Sequence, residues 1–104
     1  MANNTYRALA HPIRRGIIER LADGPATVGE ATRQFDVSKP TLSRHLKVLE
    51  EAGVVVRVID GRTHRLRLDH GPLDEAIAWL ELQRTRWTRL FEVVDEYVAE
   101  QRER

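Results

Sequence analysis

The side chains best suited to recognition chemistry lie in one segment near the middle of the chain, residues 38–53. The segment reads SKPTLSRHLKVLEEAG, and its three leucines recur at four- and three-residue steps, which predicts an apolar stripe on one face of an α-helix. At about 100° per residue, the opposite face carries basic and hydroxyl-bearing side chains. Such side chains can bond guanine edges and phosphates when a helix enters a DNA major groove. By itself the segment is equally compatible with an ordinary amphipathic surface helix.

The sequence predicts where this helix begins and ends and which side chains face outward. Ser38 can cap the free backbone N–H groups, Pro40 suits the first turn, and Gly53 can adopt the left-handed conformation that ends a helix. His45 lies about 300° around the helix from Leu42, at the margin of the apolar stripe, so a phosphate contact and a half-buried structural role both remain open. The outward residues that we assign to DNA contact are Lys39, Ser43, Arg44 and Lys47.

Two further helices are predicted at the start of the chain. Residues 3–10 can form a short helix, and Pro12 both interrupts it and suits the first turn of a second helix over residues 12–22. An isoleucine-rich stripe of the second helix should face the core. The basic residues expected to point away from that stripe are Arg14, Arg15 and Arg20.

A third helix should begin at a capping box. Thr27 can cap it, with Glu30 three residues later, and the helix should end near Phe35. A short link, Asp36-Val37, then leads to the basic-faced helix. Two helices joined in this way form the helix-turn-helix pattern, which we assign to residues 27–52 or so.

After Gly53 the hydrophobic period changes from 3.6 to 2, which predicts β-strands. Residues 54–59 are rich in β-branched side chains, and Asp60-Gly61 is a hairpin signal. In the return strand, residues 62–68, Leu66 and Leu68 alternate with Arg65 and Arg67. A basic hairpin directly after a helix-turn-helix is a wing, here about residues 54–69. Its tip residue can reach phosphates or a minor groove. The wing residues assigned to DNA contact are Arg62 at the tip and Arg65 on the arginine-bearing face.

A long helix is predicted from about residue 72 to residue 100, followed by a frayed tail over residues 101–104. Its apolar residues follow four- and three-residue steps, interrupted at Arg84, and the stripe is longer than a domain of this size can cover. We therefore infer pairing with a second protomer, alongside the N-terminal helix; packing on the same chain is the alternative. The predicted dimer interface comprises Tyr6, Leu9, Leu73, Ile77, Leu80, Trp87, Phe91, Val94 and Val98.

Length, composition and charge narrow the class of protein. The 104 residues fit a single domain, mainly α with a small β-hairpin (α+β), and the hydrophobic fraction of 41% suffices for a core. The net charge of +1 hides an asymmetry: residues 1–68 carry twelve Lys and Arg against seven Asp and Glu (+5), and residues 69–104 carry five against nine (−4). A basic first part suits a polyanionic partner such as DNA.

The sequence lacks the motifs expected of an enzyme, of a metal-binding or cofactor-binding protein and of a membrane-spanning protein. Cysteine is absent, and the four histidines lack ligand spacing, so we predict no metal site. The sequence has no glycine-rich phosphate loop or nucleophilic triad, which predicts that the protein is not an enzyme and holds no cofactor. The longest apolar run, Ala76–Leu80, is too short to span a bilayer. A start without a signal sequence predicts a cytoplasmic location.

From Arg7 to about Glu100 the chain resembles the ArsR-type family of winged-helix transcriptional regulators. The matching motifs are LAHPIRRGIIERL, VSKPTLSRHLKVLEEAGVV and DGRTHRLRL, and AWLELQRTRW resembles a cysteine-free branch of that family. The resemblance implies a homodimer, built from the first and last helices, that binds a double-stranded DNA operator and usually represses. The DNA-facing positions that it implies are Lys39, Thr41, Ser43, Arg44 and His45 on the helix and Arg62 at the wing tip.

The chain also departs from the metal-sensing members of that family. Those members have cysteines where this chain reads TVGEATRQF, or a zinc site that needs histidines late in the last helix. Asp69-His70 resembles the first half of such a site, but no histidine follows His70. Metal sensing is therefore not inherited, and the effector is unknown. The alternative function is a protein-interaction module, a winged helix whose long last helix binds a different protein.

Overall fold

The computed structural model describes residues 2–103 and confirms the predicted fold class, mainly helical with a small antiparallel sheet. The helices are α1 (Ala2–Leu9), α2 (Pro12–Ala22), α3 (Val28–Thr32), α4 (Lys39–Glu51) and α5 (Gly71–Glu103), and the strands are β1 (Ala26–Thr27), β2 (Val55–Asp60) and β3 (Thr63–Leu68). Because α5 continues to Glu103, the predicted frayed tail is wrong for residues 101–103. Met1 and Arg104, which the predicted single domain includes, lie outside the described residues.

A corner separates α1 from α2 at the position that Pro12 predicts. His11 precedes α2 in an extended conformation, with φ −132° and ψ 136°. Its Nδ1 accepts a hydrogen bond from the backbone N–H of Ile13 at 3.1 Å. The imidazole therefore caps one of the N–H groups that the first turn of a helix leaves unpaired.

Two arginines of α2, which the sequence predicts to point away from the isoleucine stripe, reach the end of α1. Arg14 donates from Nη2 to the carbonyl oxygen of Arg7 at 2.7 Å and from Nε to that of Ala8 at 3.2 Å. Arg15 donates from Nη1 to the carbonyl oxygen of Leu9 at 2.7 Å. The last carbonyls of a helix lack partners within that helix, so these guanidinium groups cap the C-terminus of α1.

The third helix begins at its predicted capping box and is shorter than predicted. The hydroxyl of Thr27 accepts a hydrogen bond from the N–H of Glu30 at 3.2 Å and donates to its Oε1 at 3.0 Å. The helix ends at Thr32 because the N–H of Phe35 closes a tighter turn onto the carbonyl of Thr32, at 3.1 Å. The link to α4 therefore covers residues 33–38.

Both predicted end signals of α4 are present. The Ser38 hydroxyl accepts a hydrogen bond from the N–H of Thr41 at 3.3 Å, and Gly53 has a φ of +75°, where a side chain would be strained. The apolar stripe faces the core: Leu46 and Leu49 are buried, and Leu42 is half-buried beside α3. The basic face of α4 is consequently turned outward.

The sheet has three antiparallel strands in the order β1-β3-β2, one more than the predicted hairpin. The additional strand, β1, pairs Ala26 with Leu66 and Thr27 with Arg65. A strand of two residues is too short to show the alternation that marks a strand in a sequence. It ties the start of α3 to the wing.

The wing turn lies one residue later than predicted. Asp60 pairs with Thr63, so the two turn residues are Gly61 and Arg62, and β3 begins at Thr63. Gly61 has a φ of +60°, as the first central residue of a type II′ hairpin turn requires. Arg62 is therefore part of the turn itself.

The core lies between the helices and one face of the sheet. Leu66 on β3 is fully buried while its neighbours Arg65 and Arg67 are exposed, as the alternation predicts. Burial of each large aliphatic side chain contributes about 1.5–3 kcal/mol to folding. The largest fully buried side chains are Ile17, Leu49, Val54, Val55 and Leu66.

The last helix extends far beyond this core and gives the protomer extents of 74 × 26 × 22 Å. Its N-terminal part packs on the body: Ala76 is buried, and the ring of Trp79 meets that of Tyr6 edge-on, with centroids 6.1 Å apart. Over residues 2–103, no helix combines the length and the hydropathy needed to cross a membrane.

Candidate nucleic-acid interface

The outward face of α4 presents most of the predicted DNA-facing side chains to solvent. Lys39, Ser43, Arg44 and Lys47 are exposed. Thr41 is half-buried, and its hydroxyl lies 2.9 Å from that of Ser38, so it contributes to the helix cap. Lys47 Nζ lies 3.9 Å from Glu51 Oε1, an exposed pair that water and salt screen strongly. The charge of Lys47 therefore remains available to a phosphate.

A cavity of about 360 Å³ opens between α3 and α4. Its walls are largely apolar, and two of the predicted DNA-facing side chains line it. Apolar walls next to a cationic side chain suit the edge of a base pair, where thymine presents a methyl group and guanine two acceptors. The lining residues are Val28, Gly29, Thr32, Lys39, Leu42, Ser43 and Leu46.

A second concavity, of about 490 Å³, lies between the wing and the start of α3. Arg62 lines it and is exposed. Val28 and Gly29 line both this concavity and the one between α3 and α4. The wing turn, the start of α3 and the N-terminal part of α4 therefore form one continuous surface, which we call the recognition surface. The remaining residues that line the second concavity are Thr27, Arg57, Thr63 and His64.

Arg65 lies apart from the second concavity. It is exposed and pairs across the sheet with Thr27 and Val58. His64, the preceding residue, lines the second concavity, and successive side chains of a strand point to opposite faces. The structure therefore places Arg65 on the other face of the wing and does not bring it together with Arg62.

The structure places His45, one of the predicted DNA-facing residues, on the buried side of α4. Its side chain is buried, with 9% relative exposure, and its Nδ1 lies 3.1 Å from Nη1 of Arg14. The imidazole ring also packs against that of His11, with centroids 4.2 Å apart. Burial lowers the pKa of His45, and the neighbouring His11 and Arg14 lower it further. Of the two roles that the sequence left open, the geometry matches the structural one.

An ion pair that the sequence did not predict joins the wing to the recognition helix. Arg57 of β2 donates from Nε to Oε1 of Glu50 at 2.6 Å and from Nη2 to Oε2 at 3.4 Å. Its Nη1 lies 3.0 Å from Nδ1 of His64. The sequence contained a signal: Arg57 sits in phase with Val55, on the face of the strand that is turned inward, where an arginine needs a partner.

The predicted dimer interface divides into covered and uncovered residues. Tyr6, Leu9 and Leu73 are half-buried within the protomer. The six interface positions further along α5 are exposed by 40–61%, and every one is a large apolar side chain. These six residues are Ile77, Leu80, Trp87, Phe91, Val94 and Val98.

The Asp69-His70 pair is already engaged in local hydrogen bonds. His70 Nδ1 lies 2.7 Å from Oδ2 of Asp74, and this hydrogen bond raises the pKa of His70. Asp69 accepts a hydrogen bond from the N–H of Gly71 at 3.1 Å, at the start of α5. Within the part of the chain that the structure describes, no three acidic or histidine side chains are grouped to hold a metal ion.

Both the sequence and the fold are similar to those of known proteins. A family profile described as "Helix-turn-helix domain" matches residues 9–58. The chain is 42% identical over 87 residues to the HTH-type transcriptional regulator Rv2034 of Mycobacterium tuberculosis, covering 84% of this chain and 78% of that protein. It is 33% identical over 78 residues to the transcriptional repressor SdpR of Bacillus subtilis, covering 75% of this chain and 87% of SdpR. The crystal structure of the ArsR family transcriptional regulator RHA00566 superposes with a TM-score of 0.78 at 35% identity, over 83% and 89% of the two chains.

Proposed function

Because the chain belongs to the ArsR family of winged helix-turn-helix transcriptional regulators, we propose that it acts as a homodimeric repressor of a pseudo-palindromic operator. The helix-turn-helix, at about residues 27–52, and the wing, at about residues 54–69, supply the DNA contacts. The long helix supplies the dimer contact. DNA binding rather than catalysis is the activity of this family.

The continuity of the recognition surface carries the DNA-binding part of the proposal. Lys39 and Arg62 line two concavities that share Val28 and Gly29, so one duplex can meet the recognition helix and the wing together. Arg44 and Ser43 lie on the exposed face of the same helix, where guanidinium and hydroxyl groups can reach base edges. Phosphate contacts by the basic side chains give affinity, and base contacts give sequence preference.

The exposed apolar length of α5 supports the homodimer. A protomer that leaves six large apolar side chains of one helix 40–61% exposed presents a surface that soluble monomers rarely show. A second copy of α5 offers the matching stripe at the same spacing. Two-fold pairing also sets the operator, because two recognition helices reach successive major grooves roughly 34 Å apart.

The direction of regulation follows the named relatives. SdpR is a transcriptional repressor, and two bacteria, Xylella fastidiosa and Agrobacterium fabrum, have biofilm growth-associated repressors that are 40% and 47% identical over shorter segments. A dimer seated on an operator blocks access to the DNA that it covers. We therefore assign repression rather than activation to this chain.

The test is selection from random-sequence duplexes by the purified protein, followed by titration of the selected and a scrambled duplex at several salt concentrations. We expect an inverted repeat among the retained sequences and an affinity that falls as salt rises, because phosphate contacts release counterions. Equal affinity for both duplexes would instead identify an interaction module without sequence preference. A reporter gene placed behind the selected sequence then distinguishes repression from activation.

A further inference from the structure

We propose that Arg14 positions the recognition helix by holding neutral His45 against the C-terminus of α1, so that mild acid weakens DNA binding. The proposal rests on the proposed function, since DNA affinity is the property that it modulates. Arg14 touches no part of the recognition surface. It acts through His45, which the helix-turn-helix places on the buried side of α4.

The guanidinium of Arg14 links three elements of the fold. Nη2 and Nε donate to the carbonyl oxygens of Arg7 and Ala8, the last turn of α1, at 2.7 and 3.2 Å. Nη1 donates to Nδ1 of His45 on α4 at 3.1 Å. Since Arg14 itself belongs to α2, one side chain fixes α1, α2 and the recognition helix relative to each other.

The chemistry of this contact requires neutral His45. A guanidinium has five N–H donors and no acceptor, so its partner atom on the imidazole must carry a lone pair. Neutral His45 meets that requirement with its proton on Nε2. An imidazolium carries a proton on both nitrogens and would point one of them at Arg14. Protonation therefore removes the hydrogen bond and replaces it with repulsion between two cations.

The charged groups that affect the pKa of His45 are basic. From α2 and its cap, Arg14 and His11 face the imidazole, and both lower its pKa after the larger effect of burial. From α1, the charge of Arg7 acts on Arg14. The two charges that shift the pKa of His45 are both basic, so they oppose a proton on its ring.

A lowered pKa sets the direction of the pH dependence. An imidazole released from this environment has the ordinary pKa of about 6.5. In the packed arrangement the pKa of His45 is lower, so His45 stays neutral to a lower pH. The arrangement is therefore at full strength above about pH 6.5 and is lost progressively as the pH falls below that value. Each unit of pKa difference corresponds to about a tenfold change in the equilibrium for each protomer.

The contact between Arg14 and His45 affects DNA binding because α1 packs on the helix of the proposed dimer interface. Tyr6 of α1 packs on Trp79 of α5, the helix of the proposed dimer interface. The position of α4 relative to α1 therefore determines how the two recognition helices of a dimer are spaced and oriented. When His45 takes a proton, α4 is free to shift, and the two helices no longer fit successive major grooves together.

The experiment measures affinity for a duplex selected by the protein at pH 8, from pH 8 to pH 5.5 at constant ionic strength. The wild-type protein should lose about tenfold or more in affinity towards pH 5.5. Protonation of exposed histidines has the opposite effect, because added positive charge attracts DNA. An affinity that rises or stays constant on acidification would overturn the proposal. Failure to bind at pH 8 would instead count against the proposed function.

Two variants assign the effect to His45. In His45→Asn the side-chain carbonyl can accept the hydrogen bond from Arg14 and cannot titrate in this range. Its affinity should therefore change less than about threefold over the same pH range. His70→Asn, on the exposed start of α5, is the matched control and should lose at least as much affinity on acidification as the wild-type protein. If His45→Asn keeps the full wild-type pH dependence, the contact between Arg14 and His45 does not cause that dependence.

A measurement on the wild-type protein tests the same contact and does not depend on whether a variant folds. The ¹⁵N chemical shifts of the histidine rings in the wild-type protein distinguish an unprotonated Nδ1 from a protonated one. At pH 8 we expect Nδ1 of His45 to be the unprotonated nitrogen. A proton on Nδ1 at that pH would exclude the hydrogen bond from Arg14 and overturn the proposal.

Discussion

Arg57 of the wing and Glu50 of the recognition helix are joined by an ion pair, with Nε of Arg57 2.6 Å from Oε1 of Glu50. Both side chains are half-buried, with 28% and 29% exposure. A two-point guanidinium–carboxylate contact fixes the relative orientation of its partners as well as stabilising them. The hairpin and the helix that are proposed to bind one duplex are therefore held in register by a contact outside the face of α4 that is proposed to meet DNA.

Glu50→Ala should lower the free energy of unfolding by about 1–3 kcal/mol, because it leaves the Arg57 charge half-buried without its partner. The adjacent Glu51→Ala is the matched control: Glu51 forms only an exposed pair with Lys47, so its removal should change stability by no more than about 0.5 kcal/mol. Urea denaturation at one fixed protein concentration measures both, since the stability of a dimer depends on concentration.

The double variant Glu50→Ala/Arg57→Ala tests whether that effect belongs to the pair. If the two residues act through each other, the double variant should be destabilised by less than the sum of the two single variants. Each single variant leaves one unpaired charge, whereas the double variant leaves none. Strict additivity, or equal midpoints for Glu50→Ala and Glu51→Ala, would show that the ion pair contributes little.

The elements of this fold could be predicted where the sequence carries a local signal. Ser38 and Gly53 mark the ends of α4, Pro12 marks the start of α2, and the change of hydrophobic period after Gly53 marks the strands. Each of these signals acts within a few residues of the chain. The sequence also predicted the outward face of α4, because helical geometry alone decides which side chains oppose the leucines.

What the sequence could not predict depends on contacts between distant residues. His45 lies at the margin of the helix face, and only its contact with Arg14, 31 residues away, decides that it is buried. β1 exists because Ala26 pairs with Leu66, 40 residues further along the chain. The wing turn was misplaced by one residue because Asp60-Gly61 and Gly61-Arg62 both place a glycine in the turn, and only cross-strand pairing chooses between them.

DNA binding should not respond to zinc. His70 is hydrogen-bonded to Asp74, and a zinc site needs three or four close ligands, which the described residues do not bring together. We expect the affinity for the selected duplex to stay within about twofold when low micromolar zinc or a chelator is added. Stoichiometric release of DNA by zinc, reversed by the chelator, would contradict this; aggregation by zinc would not.

Phe91→Lys should dissociate the dimer. Phe91 is 61% exposed in the protomer and lies in the middle of the proposed interface, so each dimer loses two buried rings, about 1.5–3 kcal/mol for each one. The introduced ammonium groups add the cost of an unpaired buried charge. Sedimentation at micromolar concentration should show a monomer with a weakened operator affinity. Glu92→Lys, at an adjacent position outside the predicted interface, is the control, and a dimeric Phe91→Lys would place the interface elsewhere.

Arg44→Ala and Arg62→Ala should weaken DNA binding in different ways. Arg44 is exposed on the outward face of the recognition helix, where a two-point contact with guanine discriminates against other bases by roughly 1–3 kcal/mol. Its removal should relax the preference at one symmetric pair of operator positions. Arg62 lies in the wing turn beside the second concavity, a position suited to phosphate. Its removal should weaken binding to all sequences alike and reduce the salt slope by about one for each phosphate that the variant no longer neutralises.

The comparison uses the selected and a scrambled duplex titrated at several salt concentrations, with Arg89→Ala on the exposed surface of α5 as the control. For Arg44→Ala the ratio of the two affinities should fall, and for Arg62→Ala it should stay constant while both affinities fall. If Arg44→Ala instead lowers both affinities equally, Arg44 is a phosphate anchor. Base reading would then belong to Lys39 and Ser43, which line the cavity between α3 and α4.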